Sequence, residues 1–481
     1  MWAPSASSVA VRVRGRDHEL ADAGEGVFEA NLAAEAGDDY RYVLDGAAAH
    51  PDPCSRFQPE GIRGPSRIVD TGRFEIARGP RLPLEELVLY ELHVGTFSPE
   101  GTFDGVVPYL RGLRELGVTA IELMPVATFP GERNWGYDGV YTFAPHPVYG
   151  GPEGLARLVD AAHREGLGVI LDVVYNHIGP GSEAIAAFGP YFTDRYDTFW
   201  GEAIDYSRGA VREWAIQNAE LWTRDYGLDG LRLDAVHAVF DDSRPHVLAE
   251  LRQRVDGLVV SEMEVDDWRP IEEWGHDAQW ADASHHELHV LLTGEQEGYY
   301  GGYGSLDGLV YDLRGRGHRP EQLVVCAQNH DQVGNRAAGD RLPPDALRVA
   351  AAVTLFSPCT PLLFMGEEYA ERNPFQFFTD HVDARIAEAT REGRKKEFER
   401  FSAFSGEDVP DPQAEETFLR SKLSHEGDKA HRALYAKLLH LRRELPRQLE
   451  AHVDGKLLRL RRGEVELAAD FERKTVELRD A

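Results

Sequence analysis

Cysteine is nearly absent from this chain: only Cys54, Cys326 and Cys359 occur in 481 residues. An odd number without paired spacing argues against a disulfide framework or a thiolate metal site and fits buried thiols in a reducing compartment. Positive charge is scarce as well. Lys and Arg number 52 against 82 Asp and Glu, a net charge of −30, which disfavours a nucleic-acid or anionic-membrane surface and suits a neutral partner such as a sugar. No apolar stretch reaches membrane-spanning length, and residues 1–8 show neither the basic nor the apolar segment of a secretory leader, so the expected location is the cytoplasm. Internal repeats are missing, as are dinucleotide and phosphate-loop motifs, and no cofactor is expected.

What is present is a core-forming composition, 42 % hydrophobic with 10 % aromatic residues, in a chain too long for one ordinary domain. Residues 1–80 carry short alternating stretches such as Ser8-Val-Ala-Val-Arg-Val13, broken by Gly, Asp and Pro, and read as a small β-sandwich. From Leu87 the pattern changes to apolar strands alternating with amphipathic helices. Eight candidate strands fall at 88–94, 120–124, 169–175, 230–234, 258–262, 278–282, 323–328 and 361–365. Helical segments lie between them, among them 154–165, 210–226 and 346–356. Eight such pairs over roughly 350 residues predict a (β/α)8 TIM barrel of the α/β class across 81–445 rather than an open sheet. Residues 382–429 interrupt the rhythm as an insertion with a charged helical run at 385–401, and the last helix follows at 431–444. Residues 446–481 read as a short β-rich region.

Three carboxylates sit at or just beyond the ends of these apolar runs: Asp234 in Gly-Leu-Arg-Leu-Asp, Glu262 in Leu-Val-Val-Ser-Glu, and Asp331 in Gln-Asn-His-Asp. Desolvating a carboxylate is costly unless it is paired or used, so acids at strand tips of one barrel predict a convergent negative pocket. Cleaving a glycosidic bond needs such a pair, one acid to protonate the leaving oxygen and one to attack or stabilise the anomeric centre. Asp234 follows Arg232 by two positions, which on a strand puts both side chains on one face. A guanidinium there would keep the nucleophile ionised. Glu262 ends an apolar strand, where partial desolvation would suit a general acid; Glu264 is the rival, and a capping or surface role for Glu262 the alternative. Asn329 and His330 precede Asp331, and Asp172, Asn176 and His177 lie along and beyond the third strand, all at the same barrel end. Tyr137, next to Asp138, is the best aromatic platform for a sugar ring. Trp280, His285, His286 and His289 could suggest a metal site, but the HExxH order is missing and a structural or sugar-lining role for the cluster is preferred, with Trp280 and His286 as the sugar-binding candidates.

The motifs Asp172-Val-Val-Tyr-Asn-His177, Gly230-Leu-Arg-Leu-Asp234, Glu262 and Asn329-His-Asp331, in that order, resemble glycoside hydrolase family 13, the α-amylase family. That resemblance implies Asp234 as nucleophile, Glu262 as general acid/base and Asp331 as the third acid, with Arg232, His177, His330, Tyr137 and Asp138 around the cleaved sugar. No metal is needed for such a mechanism. Segments at 51–59, 134–140, 188–194, 285–295, 374–381 and 391–398 look like the subgroup that cuts the α-1,4 bond beside the terminal trehalose of malto-oligosyltrehalose. The stretch Ala281-Asp-Ala-Ser284 departs from that subgroup's pattern. The competing readings are a glucan branching enzyme, which would use the same acids for transfer, and a glucan-binding homologue without turnover.

Overall fold

The computed structural model describes residues 1–198, 201–264, 266–398 and 409–480. The part of the expected insertion at 399–408 therefore lies outside the described residues.

Near the N-terminus, strands β1 (Val9–Val13), β2 (Arg16–Glu19), β3 (Asp39–Leu44), β4 (Ala49–His50) and β5 (Ser66–Arg67) form an antiparallel sheet in the order β2-β1-β3-β4, with β5 also pairing β3. A separate hairpin, Ala21–Gly24 with Val27–Glu29, stands beside it.

All eight expected barrel strands form, each close to its sequence bounds: β6 (Leu89–Leu92), β7 (Ala120–Leu123), β8 (Gly168–Val173), β9 (Gly230–Leu233), β10 (Leu258–Ser261), β11 (Ala278–Trp280), β12 (Leu323–Cys326) and β13 (Thr360–Phe364). They close into one parallel barrel. Parallel strands covered on both faces must be apolar throughout, which is why they read as continuous hydrophobic runs. The exceptions follow the strand period of two. Leu89, Ala120 and Ile170 fill the barrel interior, and two residues further along the same strands stand Glu91, Glu122 and Asp172. Gly230 and Arg232 repeat the step on β9. A Cβ at Gly230 would lie 2.6 Å from the Leu258 carbonyl oxygen, so that strand approach requires glycine. One apolar layer thus carries a polar layer beneath the barrel mouth.

Helix α1 (Gly151–Arg164) buries Leu155, Leu158, Val159 and Ala162 on its inner face, as its spacing predicts. Helix α2 (Gly209–Glu220) ends sooner than expected, the chain continuing to Asp225 in wider π-type turns. Helix α3 (Asp282–Thr293) follows β11, and the five-residue α4 (His330–Gly334) follows β12. Helix α5 (Pro344–Phe356) is almost entirely buried, α6 (Ala384–Phe398) covers the barrel mouth, and α7 (Lys429–Glu444) starts at Asp428, whose side chain accepts from the Ala430 N–H at 2.7 Å. Strands β14 (Glu450–Asp454), β15 (Leu457–Arg462), β16 (Val465–Asp470) and β17 (Thr475–Asp480) form a consecutive antiparallel sheet. Among the described residues no helix is long and apolar enough to cross a membrane. All three cysteines are free.

Candidate active site

The first two acids are aligned by the barrel itself. The backbone N–H of Asp234 donates to Val173 O at 3.0 Å on one side, and that of Glu262 donates to Leu233 O at 2.9 Å, so both side chains leave neighbouring strand tips at the same level. Ala235 turns the chain away with a left-handed φ of 41°, rare for a residue with a side chain. That turn aims its N–H at Glu262 Oε2, 2.8 Å away.

Arg232, fully buried, joins the acids. Its Nη1 donates to Asp172 Oδ2 at 2.7 Å and to Asp234 Oδ1 at 2.8 Å, while Nη2 donates to Glu262 Oε2 at 2.8 Å. The planar fork of guanidinium reaches three carboxyls at once, which a lysine could not do. Asn176 holds the other Asp234 oxygen, its Nδ2 donating to Oδ2 at 2.8 Å. Asp172 lies deeper: burial pushes its carboxyl up to about 7 even though Arg232 pulls the other way.

The third acid arrives from β12 through α4. Asp331 Oδ1 accepts from Asn335 Nδ2 at 2.9 Å, and Oδ2 lies 3.3 Å from His330 Nε2. Tyr137 stacks on the His330 ring with centroids 5.1 Å apart, donates its hydroxyl hydrogen to Asp172 Oδ2 at 2.7 Å and meets His330 Nε2 at 2.8 Å. Burial works against a charged His330, but Asp331 and Glu91 outweigh it and hold the ring up to about 10.

Two cavities open at this end. A cavity of about 300 Å³ is lined by Glu262, Asp331, Asp282, His286, Tyr299 and Arg336, among others. A groove of about 1530 Å³ is lined by Tyr137, Asp138, His177, Phe377 and the inner face of α6, including Arg394. Tyr299 and Asn335 border both. Asp282 was not singled out from the sequence. At the start of α3 it faces Glu262 and Asp331; burial and those two charges push its carboxyl up to about 7. Burial lowers His286 to about 4. Glu295, beside His289 and Arg336, is drawn down to about 2.

The expected residues divide by place. Asp234, Glu262, Asp331, Arg232, His177, His330, Tyr137 and Asp138 come together, with His177 Nε2 2.9 Å from Tyr137 O and Asp138 accepting from Asn134 at 2.6 Å. His286 lines the smaller cavity. Glu264, the rival to Glu262, is exposed and lines neither cavity. Glu262 is less isolated than its apolar strand suggested, because its Oε2 has two donors. Two of the expected residues are held by contacts within the protein. Trp280 is 2 % exposed and packs under Arg232, whose guanidinium carbon lies 4.2 Å from the ring centroid, so it supports the arginine instead of facing sugar. Asn329 caps α4, its Oδ1 accepting from Gln332 N–H at 2.8 Å. Among the described residues no three His, Cys, Asp or Glu side chains group to hold a metal ion.

Residues 64–200 match the family model described as alpha amylase, catalytic domain. A malto-oligosyltrehalose trehalohydrolase from Deinococcus radiodurans is 46 % identical over 93 % of this chain and 81 % of its own length. The chain belongs to the malto-oligosyltrehalose trehalohydrolase family. It is thus a glycoside hydrolase with the α-amylase fold. A Salmonella typhimurium crystal structure described as an alpha amylase superimposes with a TM-score of 0.90 at 37 % identity, over 97 % of this chain and 90 % of that one. A glucan branching enzyme from Rhodospirillum rubrum is 32 % identical over only 49 % of this chain and 36 % of its own length. The trehalohydrolase likeness covers 93 % of the chain and the branching-enzyme likeness 49 %.

Proposed function

We propose that this chain is a retaining α-glycosidase that hydrolyses the α-1,4 bond next to the terminal trehalose of malto-oligosyltrehalose, releasing trehalose and a shorter maltodextrin. The observation that carries the reading is one buried guanidinium touching both Asp234 and Glu262 at 2.8 Å, at the mouth of a barrel from the trehalohydrolase family. Asp234 attacks the anomeric carbon as Glu262 gives its proton to the leaving oxygen. Glu262 then takes a proton from water, which releases the sugar from Asp234 with the original anomeric configuration. Asp331 and His330 hold hydroxyls of the distorted ring.

Because the general acid stands on the leaving-group side, the smaller cavity next to Glu262 takes the trehalose and the larger groove beside Tyr137 and His177 takes the glucan chain. About 300 Å³ is the lower range of a small-molecule site and suits a disaccharide. The division into a 1–80 β-sandwich domain, an 81–445 catalytic barrel and a 446–481 β-rich region belongs to this proposal, as does a cytoplasmic setting, which the free thiols favour.

Incubation with malto-oligosyltrehalose and, in parallel, with amylose tests the reading. Free trehalose, released as the sugar product keeps the α-configuration by NMR, is expected. New α-1,6 branches without trehalose would move the chain to the transferases.

A further inference from the structure

We infer that Glu91 is a positioning residue for hydrolysis: its carboxylate clamps His330 and fixes the direction in which that ring presents its second N–H to Asp331 and the bound sugar. This rests on the proposed glycosidase reading for its activity arm, though the contact itself does not.

Glu91 lies on β6, two residues above the apolar interior layer, and is 1 % exposed. Its Oε1 meets His330 Nδ1 at 2.6 Å and its Oε2 accepts the His330 backbone N–H at 2.9 Å. One carboxylate therefore holds both the ring and the chain that carries it. The hydrogen bonds around the ring allow one assignment of protons. Nδ1 faces a carboxylate oxygen and must carry hydrogen. Nε2 faces Asp331 Oδ2 and the Tyr137 oxygen, whose own hydrogen goes to Asp172, so Nε2 must carry hydrogen as well. His330 is an imidazolium with a donor aimed at the site.

The barrel keeps Glu91 available for that task. Glu122 on β7 is its direct cross-strand partner, fully buried, with neither oxygen bonded. Two adjacent buried carboxyls cannot both ionise at little cost. Glu122 has no hydrogen-bond partner and keeps the proton, its carboxyl held well above the usual range by burial and by Glu91, whereas Glu91 has the His330 ring and backbone N–H to bond. The other groups around His330 oppose one another. Asp172 from β8 and Asp331 from its own helix favour the charged ring; Arg232 from β9, His93 beyond β6 and burial disfavour it. Asp282 at the start of α3 adds a further carboxyl. Without Glu91 the balance tips towards neutral imidazole, and the aimed donor becomes a lone pair.

The test is Glu91→Gln, which keeps shape and removes charge, read in the full chain by titration of 13Cε1-labelled histidines, with the His330 signal assigned by its loss in His330→Gln. In the wild type that signal stays protonated to pH 9. In E91Q it should titrate at least one pH unit lower, and the alkaline limb of kcat/KM on malto-oligosyltrehalose should fall with it, leaving at least tenfold lower kcat/KM at pH 9, mostly in kcat. Glu91→Asp should recover part of both. An unchanged His330 titration in a folded E91Q overturns the clamp, and a shifted titration with an unmoved pH profile overturns its role in the reaction. Should E91Q not fold, E91D must still lower the His330 titration measurably, and an unchanged value is equally fatal. If the wild type releases no trehalose the glycosidase reading fails, while the titration still judges Glu91.

Discussion

Arg232 and Arg462 are both fully buried, yet they are held by opposite kinds of partner. Arg232 lies among carboxyls, and its surroundings are left incomplete: its own Nε, Asp172 Oδ1, both Glu122 oxygens, Trp280 Nε1 and Asn329 Nδ2 are buried without a bonded partner. Arg462 meets only backbone carbonyls. Its Nε donates to Pro446 O at 2.7 Å, Nη1 to Phe356 O at 2.9 Å and Nη2 to Leu445 O at 3.1 Å. Beside it Arg442 donates to Leu355 O at 2.8 Å and Cys359 O at 2.7 Å. Leu355 and Phe356 are the last residues of α5, whose end leaves carbonyls without intrahelical donors and carries the negative pole of the helix dipole. Burial pushes Arg442 down to about 9 and Arg462 down to about 10, and the carbonyls offset that cost. The difference separates two uses of a buried cation. In the second site the guanidinium ends on backbone carbonyls; in the first it meets three carboxyls and leaves buried polar atoms around it without partners.

Substitutions at the two places should behave accordingly. Asp234→Asn should reduce turnover by about 10⁴-fold, and Glu262→Gln by about 10²–10⁴-fold, with unchanged circular dichroism and melting temperature. Residual activity near wild type in either would remove that residue from the reaction. Arg462→Met strands the α5 carbonyls and should cost about 3–5 kcal/mol in denaturant unfolding while kcat of the folded fraction stays the same. A matching loss of kcat would show that the second arginine site is not purely structural.

Arg232→Lys keeps a charge but loses the fork, so it should lower kcat about a hundredfold with a smaller change in stability. The smallest effect sharpens the contrast most, because its sign is reversed. The folded Asp282 carboxyl is held up at about 7 against 3.8 in the open chain, so its ionisation opposes folding progressively between those values and fully above them. Asp282→Asn should therefore be more stable than the wild type at pH 8, by about 1–3 kcal/mol after allowance for partial exposure, and show no gain below pH 3.5. His330 acts in the other direction: raised to about 10, its charge supports the fold fully below 6.5 and that support fades as pH rises through 10.

Much of the architecture was legible beforehand. Periodicity placed all eight barrel strands, because parallel strands buried on both faces must be apolar, and the acids at their ends stood out against those runs. The motifs around Asp172, Asp234, Glu262 and Asp331 carried the family likeness. For Trp280 a structural and a sugar-lining role were both open, because a strand pattern shows which residues share a face but not whether an aromatic meets ligand or a neighbouring guanidinium. Asn329 looked like a ligand contact and serves as a cap, since the short helix it begins is too brief to leave a pattern.

Glu91, Glu122 and Asp282 were hidden for a different reason. Each is an ordinary acid in its own segment, and its meaning comes from residues tens or hundreds of positions away: Glu91 pairs across the barrel closure with His330, 239 residues on. The sequence by itself determined the barrel, the strand-tip acids and their chemical class, because local hydrophobic period and motif order are written along the chain. Strand register and closure alone decided which acids face one another, which arginine is answered by charge and which by carbonyls, and how the mouth divides into two cavities, because Coulomb interactions depend on distance through space and not along the sequence.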